Sequence, residues 1–455
     1  MIDVWKSIYC GTPPWRFVES NAIGGKKSRE IASLNAAKVL CAEMASLCFG
    51  EKCDIRISDS GLDDFVKEVL ADNGFVFNFT HLLEEMFALG GAVIKPRIEG
   101  KKIRLDYVSA DCFFPISWDN EKITNAAFVN TFVRDCECYS LIEKHLQDGK
   151  NYIVSNKVFE GRITFDYNGE VIGGGEVPLR EFFPELASEV KIKGLKKPLF
   201  AYFRPNAANN KNDSPCGISI FANAVPTIKA LDICFDSFVR EFVLGKRRII
   251  VPAAAVRTVT DINGITERYF DANDEVFQAF AFDDAKEMKI FDNSVELRVD
   301  EHVQALNALL SLLALQVGVS NGAFSFNVTQ GMMFGARGAK TATEVISDNA
   351  KTFRTVKTHQ NALVESLKSL VCTIVDFGRL YGLVSGGEFD VFVRFDDGIV
   401  EDKQTNIENM LKLSQSGLLS KYSALIKFLD YSPEEALSEL EKINQEIKRG
   451  EVNGR

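Results

Sequence analysis

The sequence lacks a long uninterrupted run of apolar residues. Its most apolar window, residues 303–319, is short for a membrane span and is interrupted by polar side chains. These are Gln304, Asn307, Ser311 and Gln316. The first residues, 1–6, contain no apolar run of the length that a signal peptide needs. We therefore expect a soluble protein with no membrane partner.

The sequence also lacks an excess of positive charge. Its 63 Asp and Glu residues outnumber its 53 Lys and Arg residues, which gives a net charge of −10. A protein that binds nucleic acid tightly over its whole surface needs a basic balance, because it must neutralise many phosphates. This composition argues against such a protein, but it is compatible with a surface that only lets DNA pass.

Residues suited to catalysis or metal binding are few and scattered. The four histidines and ten cysteines show no spacing typical of a zinc site, and Cys136 and Cys138 have no second ligand pair nearby. The acid pairs Asp283-Asp284 and Asp396-Asp397 are typical of turns, since adjacent side chains on a strand point to opposite faces. We therefore predict no enzymatic activity, no cofactor, no metal site and reduced thiols.

The first half of the chain has mixed helical and strand patterns. With 455 residues, the chain is long enough for two to four domains. Helical periodicity comes first and alternating strand patterns follow, ending in a polar, turn-rich segment at 204–217. The predicted elements are helices at about 28–49, 62–72 and 79–89, strands from Ala92 onwards, and a hairpin at Asn168-Gly169. The sequence thus predicts an α+β fold.

Two long apolar helices are predicted in the second half. The first covers residues 219–245 and contains Pro226, which we expect to kink or restart it. The second, at residues 300–317, is apolar on most sides, so neighbouring subunits packed along its flanks would cover it. Residues 246–299 between them have strand patterns, with a hairpin signal at Asn263-Gly264. This arrangement indicates a two-helix stalk that carries a small β-rich module.

A glycine-rich loop at residues 320–340 follows the second helix. It fails the pattern of a phosphate-binding loop, because Ala339 and Phe334 occupy the two positions where glycine is needed. A helix of about forty residues follows, with a capping box at Thr341-Ala-Thr-Glu344. We also predict a strand at residues 389–395 that joins the N-terminal sheet, and further helices that include one starting at Ser432-Pro433.

Cations that suit a phosphate backbone occur in two places. Arg337 and Lys340 lie in the glycine-rich loop, where the alternative is a surface loop without such a role. Lys246, Arg247 and Arg248 end the first long helix, where cations also suit the helix dipole. A role facing DNA or a partner and a purely structural role both remain open for this second cluster.

A series of short motifs runs through the chain from Gly11 to about Phe395. In chain order they are Gly11–Trp15, Leu199–Asn206, Asn209-Asn210, Ser214–Ala224, Phe235–Phe238, Gly245–Pro252, Gly318–Ser320, Phe324–Phe326 and Lys340–Val345. Their order and spacing resemble those of the portal proteins of tailed phages that infect Gram-positive bacteria. No single motif is diagnostic by itself.

The resemblance implies a non-enzymatic virion protein that forms a ring, usually a dodecamer, at one vertex of the capsid. It implies these parts: an α+β wing at 1–218, stem helices at 219–245 and 300–319, a β-rich clip at 246–299, a tunnel loop at 320–340, a long helix with a wing strand at 341–397, and a helical crown at 398–455. Residues of the tunnel loop would line the DNA channel. Those singled out are Asn321, Gln330, Met332, Arg337 and Lys340.

The resemblance also implies a set of partners. They are double-stranded DNA, the terminase large subunit, a head–tail adaptor, and the major capsid and scaffold proteins, with assembly in the cytoplasm of the host bacterium. ATP hydrolysis for packaging would belong to the terminase. The alternatives are a DNA-processing enzyme of a phage and a virion structural or scaffold protein that forms no ring.

Overall fold

The structure is a computed structural model that describes most of the chain. It describes residues 1–245, 296–320 and 342–395 apart from short gaps, the backbone of five strands between 248 and 293, and parts of 411–440. The short gaps are at 23–24, 51–52, 121, 150, 166–168 and 196.

Four helices form a layer near the N-terminus. They are α1 (Ile2–Tyr9), α2 (Ala36–Phe49), α3 (Ser60–Asp72) and α4 (Phe75–Leu89). Helix α4 contacts the other three and buries Phe79, Leu83 and Met86 completely. Gly74 and Gly90 flank α4 with positive φ angles, which glycine adopts without strain. The predicted helices at 62–72 and 79–89 are confirmed as α3 and α4, with α4 beginning earlier.

The prediction of one helix over residues 28–49 is wrong in its first part. Strand β1 (Phe17–Ala22) pairs with β2 (Gly25–Glu30) in an antiparallel hairpin, and α2 begins only at Ala36. Asn35 has a left-handed backbone conformation with a φ of 49°, so helix α2 does not extend beyond Ala36 towards the N-terminus. The segment before it binds a distant helix, as described below, so tertiary contacts override the local pattern.

Antiparallel strands form two sheets after α4. The first contains β4 (Ala92–Glu99), β5 (Lys102–Ser109) and β14 (Ala201–Phe203). The second is a meander of β6 (Phe113–Asp119), β7 (Lys122–Arg134), β8 (Glu137–Asp148) and β9 (Asn151–Glu160), extended by β12 (Glu176–Val177) and β13 (Glu189–Lys193). A short helix, α5 (Leu179–Phe182), joins these last two strands.

The predicted hairpin at Asn168-Gly169 is confirmed by its flanking strands. Strand β10 (Thr164–Phe165) pairs antiparallel with β11 (Val171–Ile172), although residues 166–168 of the turn lie outside the described part. Together, the N-terminal helices and these antiparallel strands confirm the α+β fold.

The two long helices are confirmed, with a correction to the first. Helix α6 (Val225–Leu244) begins six residues later than predicted, and α7 covers Val299–Val317. Pro226 lies in the first turn of α6, where its missing N–H would have had no partner, so it does not kink the helix. Residues 219–224 form turns on the end of α4 instead, and the backbone N–H of Ile220 donates to the Phe87 carbonyl oxygen at 3.0 Å.

Five short strands are described between α6 and α7. They are β15 (Arg248–Pro252), β16 (Thr258–Thr260), β17 (Thr266–Arg268), β18 (Phe277–Phe280) and β19 (Phe291–Asn293). β15 pairs with β18 and β19, while β16 and β17 form a hairpin. The hairpin signal at Asn263-Gly264 is therefore confirmed by its strands, although these two residues themselves are outside the described part.

A long helix, α8 (Ala342–Leu380), completes the main core. Its buried residues include Leu363, Leu367 and Ile374 of the predicted stripe. This core also contains residues of α2, α4, β4 and the first half of α6, so the base of the stalk packs into the same core as the N-terminal helices. Thr341 of the predicted capping box lies outside the described residues.

The last described elements follow α8. The predicted strand is confirmed as β20 (Val391–Phe395), which pairs antiparallel with β3 (Cys53–Ile57). These two strands form a sheet of their own, so the prediction that the strand joins the larger N-terminal sheet is wrong. Helix α9 covers Lys421–Phe428, and the predicted helix start at Ser432-Pro433 lies outside the described residues.

The polar segment at 204–217 is anchored on α8 through a buried histidine. The backbone N–H of Asn206 donates to Nδ1 of His359 at 3.0 Å, and the Asn206 side-chain amide donates to the Thr358 carbonyl oxygen at 3.0 Å. His359 is buried, and burial lowers the pKa of its ring from 6.5 to about 4. The folded protein therefore holds this imidazole neutral near pH 7.

We expect His359 to make the fold less stable as the pH falls from 6.5 to 4. The unfolded chain binds a proton at His359 in this window and the folded chain does not, which lowers the free energy of unfolding by at most roughly 3 kcal/mol. The His359→Gln variant should lack this component. Urea unfolding at several pH values would measure how the free energy of unfolding depends on pH in the wild type and in His359→Gln. The exposed His81→Gln variant is the control. Parallel slopes for wild type and His359→Gln would contradict the assignment.

Candidate functional site

The predicted channel residues all lie in the loop between α7 and α8. Residues 321–341 are outside the described part, so Asn321, Gln330, Met332, Arg337 and Lys340 have no described position. What the structure describes is how both ends of this loop are attached.

The loop leaves from a point fixed on α8. Helix α7 ends at Val317 and is followed by Gly318, which has a φ of +84°, and the next two residues are buried. The backbone N–H of Ser320 donates to Oγ1 of Thr352 at 2.9 Å, and the Thr352 N–H donates to Oγ of Ser320 at 3.3 Å. One turn further along α8, Oγ1 of Thr355 donates to the Gly318 carbonyl oxygen at 2.6 Å.

The other end of the loop is the start of α8 at Ala342. Thr352 lies ten residues further along this helix, so the start of α8 extends roughly 15 Å beyond the fixed point. The loop therefore connects the end of α7 to the start of α8, and these two helices are bonded to each other at residues 318–320.

The predicted basic cluster directly follows the end of α6 in the sequence. Lys246 and Arg247 are outside the described residues, and Arg248 is the first residue of β15, where only the backbone is described. Just before them, Glu241 accepts hydrogen bonds from Nε and Nη2 of Arg298 at 3.0 and 2.9 Å. This pair lowers the pKa of Glu241 to about 2. It joins the end of α6 to the start of α7, where the strand module leaves and returns.

Both stalk helices carry exposed apolar side chains. Phe242 at the end of α6 is 44% exposed, and Leu312 and Leu315 on α7 are 50% and 62% exposed. Val243, Leu244 and Leu297 near the strand module are exposed as well. A cluster of large exposed apolar groups indicates a surface that another molecule covers.

Two buried aspartates on α6 hold the N-terminal segment, which we call the arm (residues 11–35). Asp232 accepts hydrogen bonds from Nε1 of Trp15 at 2.8 Å, from Oγ of Ser33 at 2.9 Å and from the Leu34 N–H at 3.0 Å. Asp236, one turn later, accepts two from the Arg29 guanidinium at 2.7 Å and one from the Ala32 N–H at 3.1 Å. The Arg29 guanidinium holds the pKa of Asp236 below its usual value.

The sequence analysis missed these two aspartates. The signal was present, because Asp232 and Asp236 lie one helical turn apart beside the apolar residues Leu231 and Phe235. A charged group next to a buried stripe must find a partner. The partner could not be identified from the sequence, since Trp15 is 217 positions away.

Candidate metal ligands do not come together in the described part of the chain. Within them, no group of three or more His, Cys, Asp or Glu side chains is placed to hold a metal ion. His145 lies in a sheet with its ring nitrogens bonded to Glu143 and Tyr152 at 2.6 and 2.8 Å, a buried polar network. The pairs Asp283-Asp284 and Asp396-Asp397 fall outside the described residues, so their role in turns stays a prediction.

The described helices also include none with the length and apolar character needed to cross a lipid bilayer.

Comparison with known proteins then identifies the family. A family model described as "Phage portal protein, SPP1 Gp6-like" matches residues 14–450. No curated protein matches the chain. Proteins of this family are structural components of the phage virion, act in DNA packaging, and assemble as oligomers with capsid and DNA. Since the match covers nearly the whole sequence, the chain belongs to the SPP1 Gp6-like family of phage portal proteins.

Proposed function

We propose that this chain forms a closed ring at one capsid vertex, a dodecamer, whose channel carries double-stranded DNA during packaging and ejection. The observation that carries this proposal is the stalk of α6 and α7. Its base is built into the main core, while Phe242, Leu312 and Leu315 stay exposed on a single chain. Neighbouring subunits placed side by side would cover these groups.

The glycine-rich loop would line the channel in such a ring. Its start is fixed at Ser320 on α8, so each subunit would present one loop at the same height. Arg337 and Lys340 would supply a few phosphate contacts in each subunit. Few contacts suit a sliding polyanion, because many strong ones would make release slow and binding steeply dependent on salt.

The strand module at 246–299 would be the clip that contacts the terminase large subunit during packaging and the head–tail adaptor afterwards. The cluster Lys246, Arg247 and Arg248 lies where α6 enters this module. The region 398–455 would form the crown, and the N-terminal α+β part, residues 1–218, the wing that faces the major capsid and scaffold proteins. Assembly would take place in the cytoplasm of the host bacterium.

Imaging of the purified full-length chain tests the ring. We expect negative-stain micrographs to show rings with a central hole, and native mass measurement to give one closed oligomer. A monomer or dimer without a hole, at high concentration and with capsid and scaffold proteins present, would favour a scaffold protein instead. Turnover of a nucleotide or of DNA by the chain alone would favour a DNA-processing enzyme.

Replacing Arg337 and Lys340 together by alanine should impair the packaging or the retention of DNA while rings still form. The loss of these cations removes the phosphate contacts of the loop without changing the described stalk. DNA protected from nuclease in assembled particles measures the effect. The matched control is the Lys101→Ala, Lys122→Ala double variant, which removes two exposed cations from the strand region. Normal DNA content in the loop variant would exclude the guiding role.

A further inference from the structure

Each of the two stalk helices has an exposed outer face. On α6, Lys229, Ile233 and Arg240 share a face with Ser237, on the side of the helix away from Phe238, whose ring contacts His302 of α7. On α7, the outer face exposes Glu301, Ala305, Ala308, Leu312 and Leu315, with exposed Gln304 and Gln316 at its edges. They lie opposite the buried Leu306, Leu310 and Leu313. One subunit thus offers two different exposed faces, one on each stalk helix.

The α6 face forms one wall of an open groove, and the arm forms the other. The groove has a volume of about 740 Å³ and is lined by Trp15, Phe17, Val18, Ile233 and Arg240, among others. Phe17 and Val18 are exposed, and Ile233 is 47% exposed, so the groove presents apolar surface between cationic rims. The buried aspartates of α6 hold the arm in this position.

Charges on the two faces are complementary. Lys229 and Arg240 border the groove, while α7 begins with exposed Asp300 and Glu301 and then carries no charge up to Val317. Among the described residues, neither Arg240 nor Glu301 forms a salt bridge, although Arg240 lies near Asp236 and Glu301 lies near Arg298. Asp236 is already paired with Arg29, and Arg298 with Glu241, so Arg240 and Glu301 can still pair with an opposite charge on another molecule.

The two faces also match in height. Helices α6 and α7 are antiparallel neighbours joined at the strand module, where Phe238 contacts His302 and Glu241 binds Arg298. Counting along both helices from these contacts puts Glu301 level with Arg240, and Leu312 level with Lys229, within one to two residues or ~1.5–3 Å. Ala308 is level with Ile233 in the same way. If the ring axis runs parallel to the stalk, rotation about it leaves the height of every residue unchanged. Residues that are level within one subunit are then also level between neighbouring subunits.

We propose that the α7 face of one subunit lies in the groove between arm and α6 of the next subunit. This inference rests on the proposed ring and names its subunit contact. Glu301 meets Arg240 of the neighbour, while Ala308 and Leu312 cover Ile233 and the adjoining apolar wall. The contact joins two different faces, so it repeats from subunit to subunit instead of ending at a dimer, and it closes a ring when the rotation between neighbours divides a full turn.

Charge reversal tests the proposed pair. Arg240→Glu and Glu301→Arg should each raise the protein concentration needed for half-assembly by roughly tenfold or more, because like charges then face each other in every contact. The variant that carries both changes should assemble close to wild type, and the control Lys101→Glu should assemble normally. Single variants that assemble as wild type, or a double variant that does not recover, would overturn the proposal. Failure of the wild type to form rings would instead overturn the proposed function.

A cross-link gives an independent readout. With Ile233→Cys and Ala308→Cys in one chain, mild oxidation should link each subunit to the next, and a non-reducing gel should show a ladder beyond the dimer. Each single variant should show no more ladder than the wild type with its native cysteines. Absence of the ladder in assembled rings of the double variant would place other residues in the subunit contact.

Discussion

Alanine in place of Gly90 should destabilise the fold by roughly 3 kcal/mol or more. Gly90 ends α4 with a φ of +87°, and an added Cβ would lie 2.7 Å from the Gly217 carbonyl oxygen and from backbone atoms of Ile218. The backbone of 217–220 cannot withdraw easily, because Ile220 and Ser219 both bond to the Phe87 carbonyl oxygen. The substitution therefore combines backbone strain with a collision against the segment that leads into α6.

The Gly100→Ala variant separates these two causes. Gly100 also has a positive φ, of +64°, but nothing lies within 4 Å of its added Cβ. We expect this control to lose only about 1–2 kcal/mol, the cost of a left-handed alanine. Urea unfolding of both variants measures the difference. Equal losses would mean that the contact between Gly90 and Gly217 adapts at no cost.

The second large effect concerns Asp232. Its replacement by alanine removes the acceptor of Trp15, Ser33 and Leu34 in a site where Asp232 is 2% exposed. Buried donors without an acceptor lose their full hydration, so we expect the fold to lose roughly 3 kcal/mol. The arm should also separate from α6, which would open one wall of the proposed subunit groove.

Hydrogen exchange distinguishes this local effect from a general loss of stability. In Asp232→Ala, the amides of Ala32 and Leu34 should exchange faster, while those of β8 and β9 keep their protection. Asp232→Asn keeps one acceptor oxygen and should lie between wild type and alanine. Asp64→Ala, an exposed acid on α3, is the matched control. Unchanged exchange in the arm would show that Asp232 does not hold it.

Much of the fold could be predicted from local patterns. The apolar periodicity of α4, α7 and α8, the strand at 391–395 and the two hairpins were all predicted correctly, because each depends on residues close together in the chain. The start of α6 was predicted too early, since the turns at 219–224 follow from contacts with α4. The order of the motifs predicted the family, which the match over residues 14–450 confirms.

The sequence by itself therefore determined the α+β class, the long helices and the membership in the portal family. Only the tertiary structure decided that residues 25–30 form a strand, that Asp232 and Asp236 hold the arm, and that Gly90 lies against Gly217. The reason is physical. Periodicity reports which face of an element is buried, whereas a buried charge or a close backbone contact depends on which distant segment covers that face.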